Sequence, residues 1–104
     1  MTPPPARFRM VYRSFDRILF DPAKSDEILA RRGFDLGYVR RMFPGWVLER
    51  EDTRSYRETR YQAIGELLGN VYFVVYTRSG RFARLITAWE ADRHERQGWY
   101  DARH

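Results

Sequence analysis

Cysteine is absent from this chain, which excludes a disulfide scaffold and any thiolate-held zinc or iron–sulfur centre. Histidine is scarce: His94 and His104 are the only two, and neither stands in an HxxxH or His-plus-carboxylate spacing. No metal and no cofactor is therefore expected. No apolar run approaches the ~20 residues of a membrane span; the longest, Val71 to Tyr76, has the length of a strand. Phosphate-cradling glycine motifs and the GxSxG elbow are missing, which excludes the common nucleotide-binding and serine-hydrolase signatures. The opening Met1-Thr2-Pro3-Pro4-Pro5 has no apolar signal core, so a cytoplasmic address is expected. With 104 residues the chain fits one small domain, which seldom holds the paired-carboxylate cleft of a glycosidase.

Lysine is also nearly absent. Of nineteen basic residues only Lys24 is a lysine, leaving eighteen arginines against fourteen acids and a net charge of +5. Arginine presents a planar fork of donors that grips phosphate bidentately and stacks on bases. The excess points to nucleic acid or another polyanion as partner, although a GC-rich coding preference yields the same bias. Aromatic residues make up 16% of the chain, enough bulky apolar surface to build a core.

Residues 1–9 read as a flexible, proline-rich tail and 10–104 as a single domain. Ile18-Leu19-Phe20 reads as a short strand. Asp21 then caps a helix that carries Pro22 at its first position, runs to Arg32 and stops at Gly33. Asp35 caps a second short helix, with Leu36, Val39 and Phe43 on one face, closed by Pro44-Gly45. Trp46-Val47-Leu48 begins a strand, and the charged stretch Glu49 to Glu58 reads as a loop or hairpin tip. Strands follow at Thr59–Gly65, Val71–Thr77 and Phe82–Trp89, joined by turns at Leu68-Gly69-Asn70 and Ser79-Gly80. Asp92 and Glu95 have capping-box spacing and open a C-terminal helix. The expected class is α+β: two N-terminal helices, an antiparallel sheet of about four strands, and a C-terminal helix.

A basic domain without metal ligands or a covalent nucleophile can still act on RNA, which carries its own nucleophile in the 2′-hydroxyl. What the protein must supply is alignment of the attack, charge stabilisation at the phosphorus and help with proton transfer. Arginine suits the first two and, always protonated, cannot act as a base. The base would be a carboxylate such as Glu58, a tyrosinate or His94.

At this point an ordered set of segments resembles the BrnT toxins. Asp21-Pro22-Ala23-Lys24 is similar to their Trp-Asp-Pro-x-Lys opening, with Phe20 in place of the tryptophan. Arg57 to Gly65 resembles Gly-Glu-x-Arg-x-x-x-Ile-Gly. Val74-Val75-Tyr76-Thr77, Gly80 and Arg84-Leu85-Ile86-Thr87-Ala88 resemble Val-Val-Tyr-Thr, Gly and Arg-Ile-Ile-Ser-Ala, and Glu95 falls where the last helix carries a glutamate. The resemblance implies a small RelE-like fold and a metal-independent endoribonuclease toxin of a type II toxin–antitoxin module. It also implies inhibited translation and a BrnA-like antitoxin, with RNA and that antitoxin as partners in a hetero-oligomer and no role for a membrane. Carried over by position, it makes Glu58, Arg60 and Arg84 the catalytic candidates, the two arginines as phosphate clamps on neighbouring strands. Lys24, Arg32, Tyr76, Arg78 and Arg93 are the RNA-binding candidates.

The chain departs from that pattern at four places. Ile28 and Arg32 stand where an asparagine and a histidine are usual, Ser79 replaces an arginine before the turn glycine, and Trp89 replaces the arginine that closes the Ser-Ala-Arg segment. A guanidinium lost beside a scissile phosphate costs ~10²–10³ in rate, which sets a non-catalytic RNA- or partner-binding member of the same fold against the ribonuclease. Regular alternation puts Arg84 and Trp89, five residues apart, on opposite faces unless a bulge near Ala88 intervenes. Each candidate also has a plainer reading. Arg60 and Arg84 can pair with Glu49, Glu51 or Glu66, Glu58 can be one member of a salt bridge, and Tyr76 can belong to the core.

Overall fold

Side-chain caps decide where the helices begin. In the computed structural model, which describes residues 7–54 and 57–103, Asp21 Oδ1 accepts from the Ala23 amide at 2.9 Å. Pro22 then fills the first position of α1, Pro22–Arg32. Gly33 ends that helix at φ 81°, a left-handed conformation, and its N–H returns to the Leu29 carbonyl. Asp35 caps α2, Leu36–Val39, through the Tyr38 amide at 2.8 Å, and a 3₁₀ turn over Arg40–Met42 extends it. Ser25 Oγ accepts from the Leu36 amide at 3.0 Å and ties the two helices together. At α3, Arg93–Arg103, the capping box closes in both directions: Asp92 N–H to Glu95 at 2.9 Å and Glu95 N–H to Asp92 at 2.7 Å.

The sheet is larger than expected and mixed. Its strands are β1 (Arg9–Arg13), β2 (Arg17–Phe20), β3 (Gly45–Asp52), β4 (Arg60–Leu67), β5 (Asn70–Ser79) and β6 (Phe82–Glu90). They lie in the spatial order β1-β3-β4-β5-β6-β2, six strands rather than about four, with β2 parallel to β6 and every other pair antiparallel. The parallel pair arises because β2 docks on the far edge of the sheet before α1 crosses over it, a placement that sequential hairpins do not produce. Of the expected tail, residues 1–6 lie outside the described residues; Phe8 meets Phe73 edge-on at 6.2 Å, and Arg9 opens β1.

Helices cover both faces. On one, Ile28, Leu36 and Val39 from α1 and α2 join Val47, Val74 and Tyr76 of the sheet in the main core. On the other, Trp99 of α3 packs with Leu48, Ile64, Val71, Phe73 and Val75. β5, buried on both sides from Val71 to Tyr76, is the shared wall, as its unbroken apolar run implies. Among the described residues no helix is long and apolar enough to cross a membrane.

Candidate functional site

The α3 side of the sheet is only partly covered, and the uncovered end carries a cleft of about 390 Å³ lined by Leu19, Glu58, Thr59, Thr77, Phe82 and Arg84. Sheet pairing builds it. Leu19 of β2 and Thr77 of β5 flank Arg84 on β6, and continuing the β4–β5 register by one residue sets Arg60 opposite Thr77. Arg60 and Arg84 thus share one row on one face, about 10 Å apart across the intervening β5. They are not on neighbouring strands, as the sequence suggested, but both address the same surface. Glu58, in the segment leading into β4, accepts from Arg84 Nη2 at 2.9 Å, with both side chains about half exposed. Two of the three catalytic candidates are therefore each other's partner, and neither pairs with Glu49, Glu51 or Glu66.

Arg84 and Trp89 also share this face, against simple alternation. Val75 pairs with Thr87 and the next residue, Tyr76, with Leu85, so Ile86 is an inserted bulge residue that shifts the phase of β6 by one. The bulge sits at Ile86 rather than Ala88. Trp89 stacks flat on Phe73, centroids 4.5 Å apart and planes 9° apart, and its Nε1 donates to Glu95 at 3.3 Å. The indole belongs to the packing of α3 on the sheet. It leaves no guanidinium there.

The RNA-binding candidates scatter. Tyr76 is fully buried, ringed by Phe15, Phe43 and Tyr61, and its hydroxyl donates to Glu49 Oε2. Arg13 adds a bidentate grip on the same carboxylate at 2.6 and 2.9 Å, and Arg78 reaches it at 3.2 Å while lying over the Tyr61 ring. Tyr76 thus serves a buried ionic cluster under the helices instead of the open cleft, whereas Arg78 joins that cluster from a partly exposed position and also lines the cleft. Burial pushes the Tyr76 phenol well above its ordinary range and Glu49 reinforces this, so the phenol stays protonated and is no tyrosinate base. Burial alone would raise the Glu49 carboxyl as well, but the bonds from Arg13 and Tyr76 and the Arg78 charge outweigh it and hold the carboxyl below the usual range.

Lys24 and Arg32 lie on α1, across the sheet from the cleft. Lys24 sits 3.7 Å from Glu27, and Arg32 Nη1 donates to the Ala88 carbonyl at 2.8 Å, fastening the end of α1 to β6. Arg93 opens α3 beyond the other end of β6; Arg84 and Glu90 alone are about 20 Å apart along that strand. It cannot stand in for a guanidinium at the cleft.

A second groove on this face, about 460 Å³, runs between Phe8 and α3 past Arg50 and His94. Its other polar groups have structural tasks: Asp92 and Glu95 cap α3, and Arg50 bonds Gln62 at 2.7 Å and covers the Phe8 ring. Among the described residues no group of three or more His, Asp or Glu side chains is placed to hold a metal ion. What sequence reasoning missed at the cleft is Leu19, Thr77 and Phe82. The signal for Phe82 was parity: it lies two residues before Arg84 in an alternating strand and so shares its face.

An acid paired with an arginine in an open cleft, and a second arginine in the same row, can grip a phosphodiester and take a proton from a neighbouring hydroxyl. No curated protein matches the chain. The family model described as the ribonuclease toxin, BrnT, of type II toxin–antitoxin systems matches residues 20–95, which hold every cleft residue except Leu19, and the chain belongs to that family.

Proposed function

We propose that this chain is the ribonuclease toxin of a type II toxin–antitoxin module and cuts RNA without a metal. The observation that carries the reading is the Glu58–Arg84 pair, 2.9 Å apart and open to solvent, in one row with Arg60. A scissile phosphate entering the cleft replaces Glu58 as the partner of Arg84, and Arg60 contacts the same or the next phosphate. Released from Arg84, the Glu58 carboxylate accepts the proton of the 2′-hydroxyl. The 2′-oxygen attacks phosphorus, the bond to the 5′-oxygen breaks, and the products are a 2′,3′-cyclic phosphate and a 5′-hydroxyl whose proton comes from water. Guanidinium charge at the non-bridging oxygens does the electrostatic work. Such cleavage in the cytoplasm would stop translation. A BrnA-like antitoxin with an acidic segment would neutralise the toxin by competing for the same arginines.

Cleavage of a defined RNA by the purified chain tests this. Arg84→Ala is expected to slow cleavage ~10²–10³-fold. Glu58→Gln is expected to slow it ~10²–10⁴-fold while binding a non-cleavable RNA at least as tightly, because it removes a competing anion. Cleavage unchanged in both folded variants overturns the site, and activity lost to a chelator and restored by one divalent ion overturns the mechanism. Trp89, packed on Phe73 where the family's arginine is usual, favours a second reading as a non-catalytic RNA binder. That reading expects salt-sensitive RNA binding with no cleavage at all.

A further inference from the structure

Phe82 is an oddity in its place. It opens β6 directly after the Ser79-Gly80-Arg81 turn, is 54% exposed, and faces into the cleft beside Leu19, itself 49% exposed. Most aromatic rings of this chain pair with another ring or a guanidinium, whereas among the described residues the Phe82 ring pairs with neither. On the same face of β6, Arg84 stands two residues on, about 6.6 Å away. An apolar plate that close to a phosphate-gripping arginine matches one repeat of a single-stranded nucleic acid, in which a flat base hangs beside its charged backbone.

We infer that Phe82 is the stacking platform for an unpaired base of the RNA held by Arg84, with Leu19 as the apolar floor beneath it. This rests on the ribonuclease reading and adds the substrate class: single-stranded RNA, bound by one base face and one phosphate together. Stacking tolerates any base, so the cleft selects unpaired over duplex RNA before it selects sequence. It also sets the geometry of attack, because a base clamped on Phe82 fixes the sugar that carries the 2′-hydroxyl.

The test measures binding of the full chain to two uncleavable ligands of equal length, a 2′-O-methyl oligonucleotide with its bases and the same backbone made abasic. The parent protein should prefer the base-bearing strand. Phe82→Ala should lower affinity for that strand roughly 5- to 100-fold, the worth of one base–aromatic stack, and leave the abasic strand unaffected. Phe82→Trp should restore the preference, a rescue that a merely structural role would not show. Arg84→Ala should weaken both ligands equally. A parent protein that cleaves RNA yet binds both strands alike overturns the stacking role and leaves the ribonuclease reading standing. So does a Phe82→Ala protein that keeps the preference and loses only its affinity for an antitoxin protein. A parent protein that neither binds nor cleaves RNA overturns both.

Discussion

The buried Glu49 cluster sets up a sharp test of what ties β1, β3 and β5 together on the helix-covered face of the sheet. Glu49→Gln keeps the shape of the side chain and removes its charge, so Arg13 and Arg78 lose their common anion and the amide nitrogen meets donors. Breaking a buried ion pair by removing one member costs about 3–5 kcal/mol. Here Glu49 is 4% exposed but its two arginines are 24% and 27% exposed, so water recovers part of the loss. About 2–3 kcal/mol is expected, placing the variant near the lower limit for a buried pair. For a domain of this length the entropy of unfolding is about 0.2 kcal/mol per kelvin, and Tm should fall about 10–15 °C at pH 7. The pH dependence supplies a second readout. The Glu49 carboxyl is held below its ordinary 4.5, so its stabilisation is complete above that value and is lost as pH falls through the lower folded value. Asp52, bonded by Arg54 and brought down to about 2 from 3.8, behaves in the same way at still lower pH. Melting curves by circular dichroism between pH 7 and pH 2 should therefore show the parent protein losing Tm steadily in acid. Glu49→Gln should start lower and lose less until Asp52 is protonated. A Glu49→Gln protein that melts within about 2 °C of the parent at neutral pH refutes the reasoning.

Trp89→Arg removes the flat stack on Phe73 and the bond to Glu95; it should cost about 2–4 kcal/mol in a thermal melt and should not raise cleavage, and a faster ribonuclease would refute the packing role. Arg32→Ala removes the bond to the Ala88 carbonyl and should lower stability by about 1 kcal/mol with RNA affinity unchanged, since α1 lies across the sheet from the cleft; a weakened RNA complex would place that arginine back in the site. Gly98 lies in α3 where an added methyl meets nothing within 4 Å; Gly98→Ala should raise stability by about 0.5–1 kcal/mol, and a lower Tm would mean that α3 is not helical there.

The helices were legible because their ends are set by side chains at fixed offsets. Asp21, Gly33, Asp35 and the Asp92–Glu95 box each act within four residues, and the structure has each of them at work. The central strand was legible for a similar reason, its length and unbroken apolar run. The edges were not. β1 is five residues with an arginine at each end, too short and too polar to stand out, and it pairs with a strand 36 residues away. The stretch from Glu49 reads as a loop because it is charged, yet β3 continues to Asp52 and buries Glu49. Nothing local announces that burial. It is permitted by Arg13, Tyr76 and Arg78, and no window along the chain contains all three with Glu49.

The cleft divides along the same line between local and distant causes. Residue type narrowed the chemistry to arginines for charge and a carboxylate, tyrosinate or histidine for the proton, but among fourteen acids and eighteen arginines it was the family resemblance that pointed to Glu58, Arg60 and Arg84. Their arrangement depended on registry, which single residues do not encode. One inserted residue at Ile86 reverses the parity of everything after it on β6, so that Trp89 comes to the Arg84 face and is consumed by Phe73 and α3. The same parity, unbroken between Phe82 and Arg84, keeps the ring and the guanidinium together at the mouth of the cleft. A bulge at Ala83 instead would have set Phe82 and Arg84 on opposite faces and left Arg84 without an apolar neighbour two residues before it on its own strand. Where β6 breaks its alternation thus separates the end of the face that packs against α3 from the end left open for a ligand.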